Sequence, residues 1–427
     1  MHILFLSDNF PPETNAPATR TFEHARVWVR EGHRVTVITC APNFPEGRVY
    51  PGYRNRWYSR EVVDGIEVVR VKTWIAPNRG FASRIADYVS FMVAAIVAGL
   101  AQDGFDVVVG TSPQFFAAVG AWAVAAVRRK PFVFELRDLW PASIRAVGAM
   151  RAEFVLRWLE KLELFLYRRA AAVVAVTESF RDNLVLRGID PRKIDVVRNG
   201  VDLARYTPRT RDYELARELG LEGCFVVGYL GTHGLAHALG RVLEAAEILR
   251  ERRDIRFLFA GAGAAREELV RTAAQRALDN VEFSASRPKE SMPALWSVCD
   301  VGLVHLKDDP TFAGVIPSKI AECFGMGVPV LFAGPDGEGA RIVRERGAGI
   351  VVQAEHPAKL AAAIAFLADD AELRAKLADA SRAAARDFDR ETLALAMLAT
   401  LQRCAGFRPG APDEKPAGRR RSARRRA

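Results

Sequence analysis

Residues 315–334, "VIPSKIAECFGMGVPVLFAG", join a Pro-Ser start signal, a short amphipathic run and an apolar, β-rich segment. They predict a helix from Ser318 to about Met326 and then a buried strand. Pro317 suits a turn or the first position of a helix, and Ser318 suits its cap. Such a helix aims free N–H groups and the positive end of its dipole at whatever precedes it, which makes an anion site. Lys319 adds a full charge suited to a diphosphate. Glu322, one turn along the same face, can accept hydrogen bonds from a vicinal diol such as a ribose. The same spacing also describes an i,i+3 Lys–Glu pair on an ordinary capped helix, and this stretch alone leaves both readings open.

The unit of helix and apolar strand recurs along the chain. In the first half the strands read "HILFLSD", "RVTVITC", "FDVVVGTS", "PFVFELRD" and "AAVVAVTES", with a hairpin at Asp64-Gly65 leading into "IEVVRVKTW". After "KIDVVRNGVDLARYTP" the pattern restarts with "CFVVGYLGT", "IRFLFAGAG", "VEFSAS", "VGLVHL", "PVLFAG" and "AGIVVQ". Nearly continuous apolar strands separated by helices predict an α/β chain with two doubly wound parallel sheets. Ligands are expected in the cleft facing the strands' carboxyl ends. The expected domains are 1–200 and 201–388, then a helix over 389–407 crossing back to the first domain and a disordered basic tail over 408–427.

The 427 residues are half apolar and 26% charged, the balance of a globular chain with two or three cores. "MHILFLSDNF" opens with neither a basic head nor a small-residue cleavage site, so no cleaved leader is expected. Tyr88 to Gln102 is uncharged but too short to span a bilayer, and "GTSPQ" breaks the apolar run 107–127. Five cysteines without C-x-x-C spacing read as free thiols in a reducing cytosol. Of the net charge of +10, the tail from Arg408 carries +6. Its arginine runs suit anionic lipid or a solvated tail without a partner. No aromatic residue interleaves with them, which argues against nucleic acid. Asp387-x-Asp389 follows no strand and reads as helix-end charge, so no metal is expected.

"PSKIAECFGMGVPV" resembles the donor-binding segment of the retaining glycosyltransferases of family four, which adopt the GT-B fold. "SDNFPPETNAPATR", "GHRVTVITCAPNFPEG", "FELRDLWP", "VVRNGVD" and "GYLGTHGLAHAL" follow the family's order, and the resemblance covers nearly residues 1–400. It is strongest to the subgroup that builds bacterial surface polysaccharides and transfers N-acetylfucosamine-type sugars. The resemblance implies catalytic roles for Lys319, Glu322, Arg137 and Asp138. Lys319 would neutralise the donor diphosphate with the amides near Pro317 and Ser318, while Glu322 would hold the ribose. Gly231 and Thr232 would admit the phosphates, Arg287 and Pro288 would read the base, and Asn15 and Ala16 would approach the donor sugar. Asn43 and Ser112 would contact acceptor or sugar.

The chain departs from the family at three places. Eight residues before Glu322 stands Gly314 in place of a first glutamate. The Arg/Lys pair after "GYLGT" is absent, with His233 and His237 nearby. Arg137-Asp138 replaces the more common His-Asp. The resemblance further implies front-face transfer with retention and no metal, from a UDP-sugar such as an N-acetylated 6-deoxyhexosamine to a lipid-linked saccharide. The enzyme would be cytoplasmic and peripheral at the inner face of a bacterial membrane. Phe154, Trp158, Leu162 and Phe165 line one side of the helix 151–169, which suits either a membrane surface or a sheet. Two other readings stay open: a UDP-sugar 2-epimerase of the same fold, and a non-catalytic nucleotide-sugar-binding protein. Several candidate residues also have plain structural readings: Arg137-Asp138 as an ion pair, Asn43 and Ser112 as turn formers, and Gly261-x-Gly263 as a tight turn.

Overall fold

Uncharged β-branched runs are accommodated only inside a sheet covered on both faces. The computed structural model, which describes residues 1–44, 46–75, 81–139 and 153–407, places them there. The first sheet comprises β1 (His2–Leu6), β2 (Arg34–Cys40), β3 (Tyr58–Val63), β4 (Ile66–Val71), β5 (Val107–Thr111), β6 (Phe132–Leu136), β7 (Ala172–Ala175) and β8 (Ile194–Val196). Their order is β3-β4-β2-β1-β5-β6-β7-β8. Neighbours are parallel except β3, which runs antiparallel to β4. Asp64 and Gly65 both take positive φ, 48° and 79°, between the paired Val63 and Ile66. That is the primed turn which matches strand twist.

The second sheet comprises β9 (Phe225–Leu230), β10 (Ile255–Ala260), β11 (Val281–Ser284), β12 (Val301–His305), β13 (Val330–Gly334) and β14 (Gly349–Gln353), all parallel in the order β11-β10-β9-β12-β13-β14. Helices cover both faces of each sheet, so each domain holds two apolar layers. The last helix, Arg390–Ala405, returns to the first domain. There Trp28 Nε1 donates to the carbonyl of Ala394 at 2.8 Å, beneath the helix Ala16–Arg30. Because its strands are parallel, β3 excepted, each sheet gathers the loops that follow them at one edge, where functional residues collect.

The helix Glu153–Arg169 divides the face expected of it. Leu156, Leu159 and Leu166 are buried and Phe165 packs edge-on to Trp122 at 5.1 Å, whereas Phe154 and Trp158 are 75% and 55% exposed. It is a sheet-covering helix with two bare aromatics, not one continuous membrane face. No helix among the described residues is long and apolar enough to cross a membrane. Trp140 and Pro141 of "RDLWP" and the basic tail 408–427 lie outside the described residues.

Candidate active site

The helix predicted from the opening stretch runs from Ser318 to Met326. Ser318 is its first residue and not its cap. Pro317 occupies the cap position and has no side-chain acceptor, so the helix start carries no side-chain cap bond. Lys319 lies one residue in and is only 8% exposed. Its Nζ stands 4.5 Å from the centre of the Tyr229 ring. A Cβ on Gly231 would lie 3.1 Å from that Nζ. Glycine at φ 136° therefore brings backbone and ammonium together at the carboxyl end of β9. Burial lowers the Lys319 pKa, against the raising pull of Glu322 and Cys323. Glu322 turns one oxygen to Trp296 Nε1 at 3.0 Å instead of closing the i,i+3 ion pair. Burial raises its pKa, and the Trp296 bond and Lys319 oppose this.

Gly261 and Gly263 belong to the same cradle for a steric reason. A Cβ would sit 2.0 Å from the carbonyl oxygen of Gly231 in the first case and 2.4 Å from that of His233 in the second. Thr232 accepts from the Tyr229 hydroxyl through its carbonyl at 2.8 Å. His233 and His237 flank Tyr229, with ring centroids 5.8 and 5.9 Å from it. The Nδ1 of His237 lies 3.2 Å from the carbonyl of His305. His233 is fully buried and both its ring nitrogens are without a partner.

Burial, helped by Arg266, Lys319 and His237, takes the His233 pKa down to about 4. An unfolded histidine protonates near pH 6.5, so the unfolded chain holds a proton that the folded chain refuses between those values. Stability must therefore fall as pH drops through that window. From the two pKa values, this one group costs about 2 kcal/mol at pH 5 relative to pH 8. His233→Phe, set among Tyr229, Phe259 and Phe283, is expected to flatten that part of the acid slope. Urea midpoints at the two pH values check it, and equal slopes in parent and variant would refute the assignment.

Across the cleft, Arg137 and Asp138 follow β6, and their N–H groups donate to Ser112 Oγ at 2.7 and 3.2 Å. Ser112 is 1% exposed. It thus holds the turn through its hydroxyl oxygen. Among the described residues, the buried Nε and Nη1 of Arg137 have no partner. Burial draws its pKa down to about 10, with Glu135 raising and Arg20 lowering it. The side chain of Asn43 is likewise spent locally, donating to the carbonyl of Ala41 at 2.9 Å. Asn15 caps the helix beginning at Ala16 by accepting from the N–H of Ala18 at 2.9 Å. Arg287 turns to Glu218 at 3.0 Å, so its guanidinium is already engaged, and Pro288 stands at the start of the turn Lys289–Ser291. Asp389 caps the last helix through the N–H of Thr392 at 3.0 Å.

Several residues at the cleft went unnoticed in the sequence. Asp8 follows β1, and burial, with Glu13 and Asp87 adding to it, raises its pKa to about 7 against a lowering bond from Asn9. Glu13 is buried and accepts from the N–H groups of Asn43 and Phe44 at 2.7 and 2.9 Å. Two further residues tie the domains together. Lys289 Nζ donates to Thr19 Oγ1 at 2.7 Å. Buried Glu338 of the second domain accepts from the N–H groups of Glu178 and Ser179, at 3.1 and 2.9 Å, at a helix start of the first. Nothing in the local pattern marks such pairs, since their members lie far apart in sequence.

Two family models match in tandem: Glycosyltransferase Family 4 over residues 18–205 and Glycosyl transferases group 1 over residues 214–384. WcaI of Escherichia coli strain K12, named for colanic acid biosynthesis, is 26% identical over 337 residues, 77% of this chain and 82% of that protein. A D-inositol 3-phosphate glycosyltransferase of Salinispora arenicola is 32% identical over 237 residues, 51% of this chain and 52% of its own. Among solved structures, Anabaena Alr3699/HepE in complex with UDP-glucose aligns with a TM-score of 0.70 at 19% identity. That alignment covers 94% of this chain and 100% of the other, a likeness of fold. The first model spans most of the β1–β8 domain and the second takes in the whole β9–β14 sheet, so the chain belongs to the family 4 glycosyltransferases, built on the GT-B fold.

Proposed function

We propose that this glycosyltransferase acts in bacterial polysaccharide synthesis and moves a sugar from a UDP-sugar to a lipid-linked saccharide with retention of anomeric configuration. The observation that carries the donor half is the Lys319 ammonium, set beside Gly231 at the open end of the helix Ser318–Met326. A buried cation next to free N–H groups suits a diphosphate leaving group, and this charge stabilisation asks no metal of the site. Glu322 keeps a carboxylate one turn along for the ribose. In the reaction the acceptor hydroxyl forms the new C–O bond on the face from which the diphosphate departs, and its proton passes to a leaving-group phosphate oxygen. Arg137, with unpartnered buried N–H groups, would hold a sugar or acceptor oxygen across the cleft. The names of WcaI and of the UDP-glucose complex support the polysaccharide and the UDP parts of this reading. An N-acetylated 6-deoxyhexosamine is the proposed sugar, and contact with the inner membrane face the proposed setting.

Thermal unfolding against UDP, GDP and a panel of UDP-sugars tests the donor, followed by mass detection of transfer to synthetic prenyl-diphosphate saccharides. Stabilisation by UDP-N-acetylhexosamines at 100 times Kd should reach about 2.7 kcal/mol. If GDP alone stabilises the protein, the donor assignment is wrong. A UDP-sugar epimerised at C2 without any acceptor would point to the epimerase instead.

A further inference from the structure

One edge of the first domain carries a groove of about 860 Å³ between the β3–β4 hairpin and the helix Phe81–Leu100. Its walls include Trp57, Trp74, Val89, Val93 and Val97, and among the described residues the one charged side chain lining it is Lys72. Trp57 is 80% exposed, Trp74 64%, Val93 53% and Val97 67%, a concentration of bare apolar surface that water alone does not explain. The wall is built and not collapsed. Asn55 and Thr73 exchange hydrogen bonds at 2.8 and 3.1 Å, and the N–H of Trp74 donates to Ser90 Oγ at 2.7 Å.

Two features select an occupant. Lining residues from Ala86 to Ala98 place the groove along about 18 Å of that helix at 1.5 Å per residue, an elongated shape. It begins where β4 ends at Val71, on the same carboxyl edge of the parallel sheet as Asp8, Ser112 and Arg137. Lys72 sits at that end, its Nζ 4.5 Å from the centre of the Trp57 ring. A single hydrocarbon chain ending in phosphate matches both the apolar length and the cation at that end.

We propose that this groove holds the isoprenoid tail of the acceptor's lipid carrier, with the phosphate near Lys72 and the saccharide directed into the cleft. The proposal rests on the reading of a lipid-linked acceptor given above. It explains why a helix free of charge from Tyr88 to Gln102 leaves Val93 and Val97 bare on a chain whose described helices do not span a membrane.

Calorimetric titration of the full chain with geranylgeranyl phosphate, kept below its aggregation threshold, tests the groove, with geranyl phosphate and inorganic phosphate as shorter probes. The long chain should bind at least tenfold more tightly than geranyl phosphate, and Val93→Asp/Val97→Asp should weaken it at least tenfold. Both valines are exposed, so the variant should fold; Val97→Ser serves as a milder substitute. The stabilisation by UDP should survive in these variants, which separates a failed groove from a failed donor site. Absence of geranylgeranyl phosphate binding, or equal binding by the variants, overturns the proposal. So does loss of sedimentation with phosphatidylglycerol vesicles in the variants when the parent binds no monomeric prenyl phosphate. That result would make the face a bilayer contact.

Discussion

Lys319→Ala is expected to lower kcat/KM by about 10²–10³, the range typical of removing one preorganised stabiliser of developing negative charge. It should also abolish the thermal shift with UDP. The ammonium is buried against the Tyr229 ring and the Gly231 backbone, and burial has already lowered its affinity for a proton. That arrangement is costly in the empty protein and becomes favourable when a diphosphate arrives, the condition for strong electrostatic stabilisation in a dry site. Removing the charge should consequently leave the unliganded protein near its parental stability. Lys319→Met keeps the aliphatic length and is the control for packing. Glu322→Gln should act differently: its bond with Trp296 can survive in part, and the loss should appear mainly in KM for the donor. If Lys319→Met retains the UDP shift, the cation has no ligand, and Ser318–Met326 is an ordinary helix.

The fold was legible because its signals are local and repeated. Apolar runs such as Val107–Thr111 and Phe132–Leu136, and the Asp64-Gly65 turn, each specify a backbone state without reference to distant residues. The helix that would carry the donor end was legible for the same reason, since Pro317, Lys319 and Glu322 mark its start and first turn within six residues. Side-chain direction was not. Ser112 and Asn43 look like free polar groups at strand ends, yet the first turns inward to the N–H groups of Arg137 and Asp138, and the second bonds its own loop. His233 reads as a loop residue because the rings that bury it, Phe259 and Phe283, come from β10 and β11. The groove was hidden likewise. The segment Tyr88–Gln102 invites only the question of whether it spans a bilayer, and the opposite wall at Trp57 and Trp74 joins it through tertiary structure alone.

The largest stability effect should come from a pair that no short motif announces. Arg20 Nε meets Glu135 Oε1 at 2.8 Å, with the two side chains 6% and 1% exposed. The same guanidinium donates to the carbonyls of Arg198 at 2.7 Å and Val197 at 3.0 Å. One side chain thus fastens the helix behind the Asn15 cap to β6 and to the segment leaving the first domain. Burial by itself pushes the Glu135 carboxyl up, but the charges of Arg20 and Arg137 and the bond from Arg20 bring it below the ordinary glutamate range. A carboxylate held low stabilises the fold above its unfolded pKa, so this contribution should disappear only in strong acid, below about pH 4. Arg20→Met removes the cation and strands the anion, for an expected loss of about 3–5 kcal/mol at neutral pH by denaturant unfolding. Arg20→Met/Glu135→Met should regain part of that loss, because the buried carboxylate goes as well. The recovery cannot be complete, since Arg137 then loses the anion behind it and the carbonyls of Val197 and Arg198 lose their donors. An Arg20→Met loss below about 1 kcal/mol would place the pair among ordinary surface contacts, and Arg137 would then need another account of how its unpartnered N–H groups are held at the cleft.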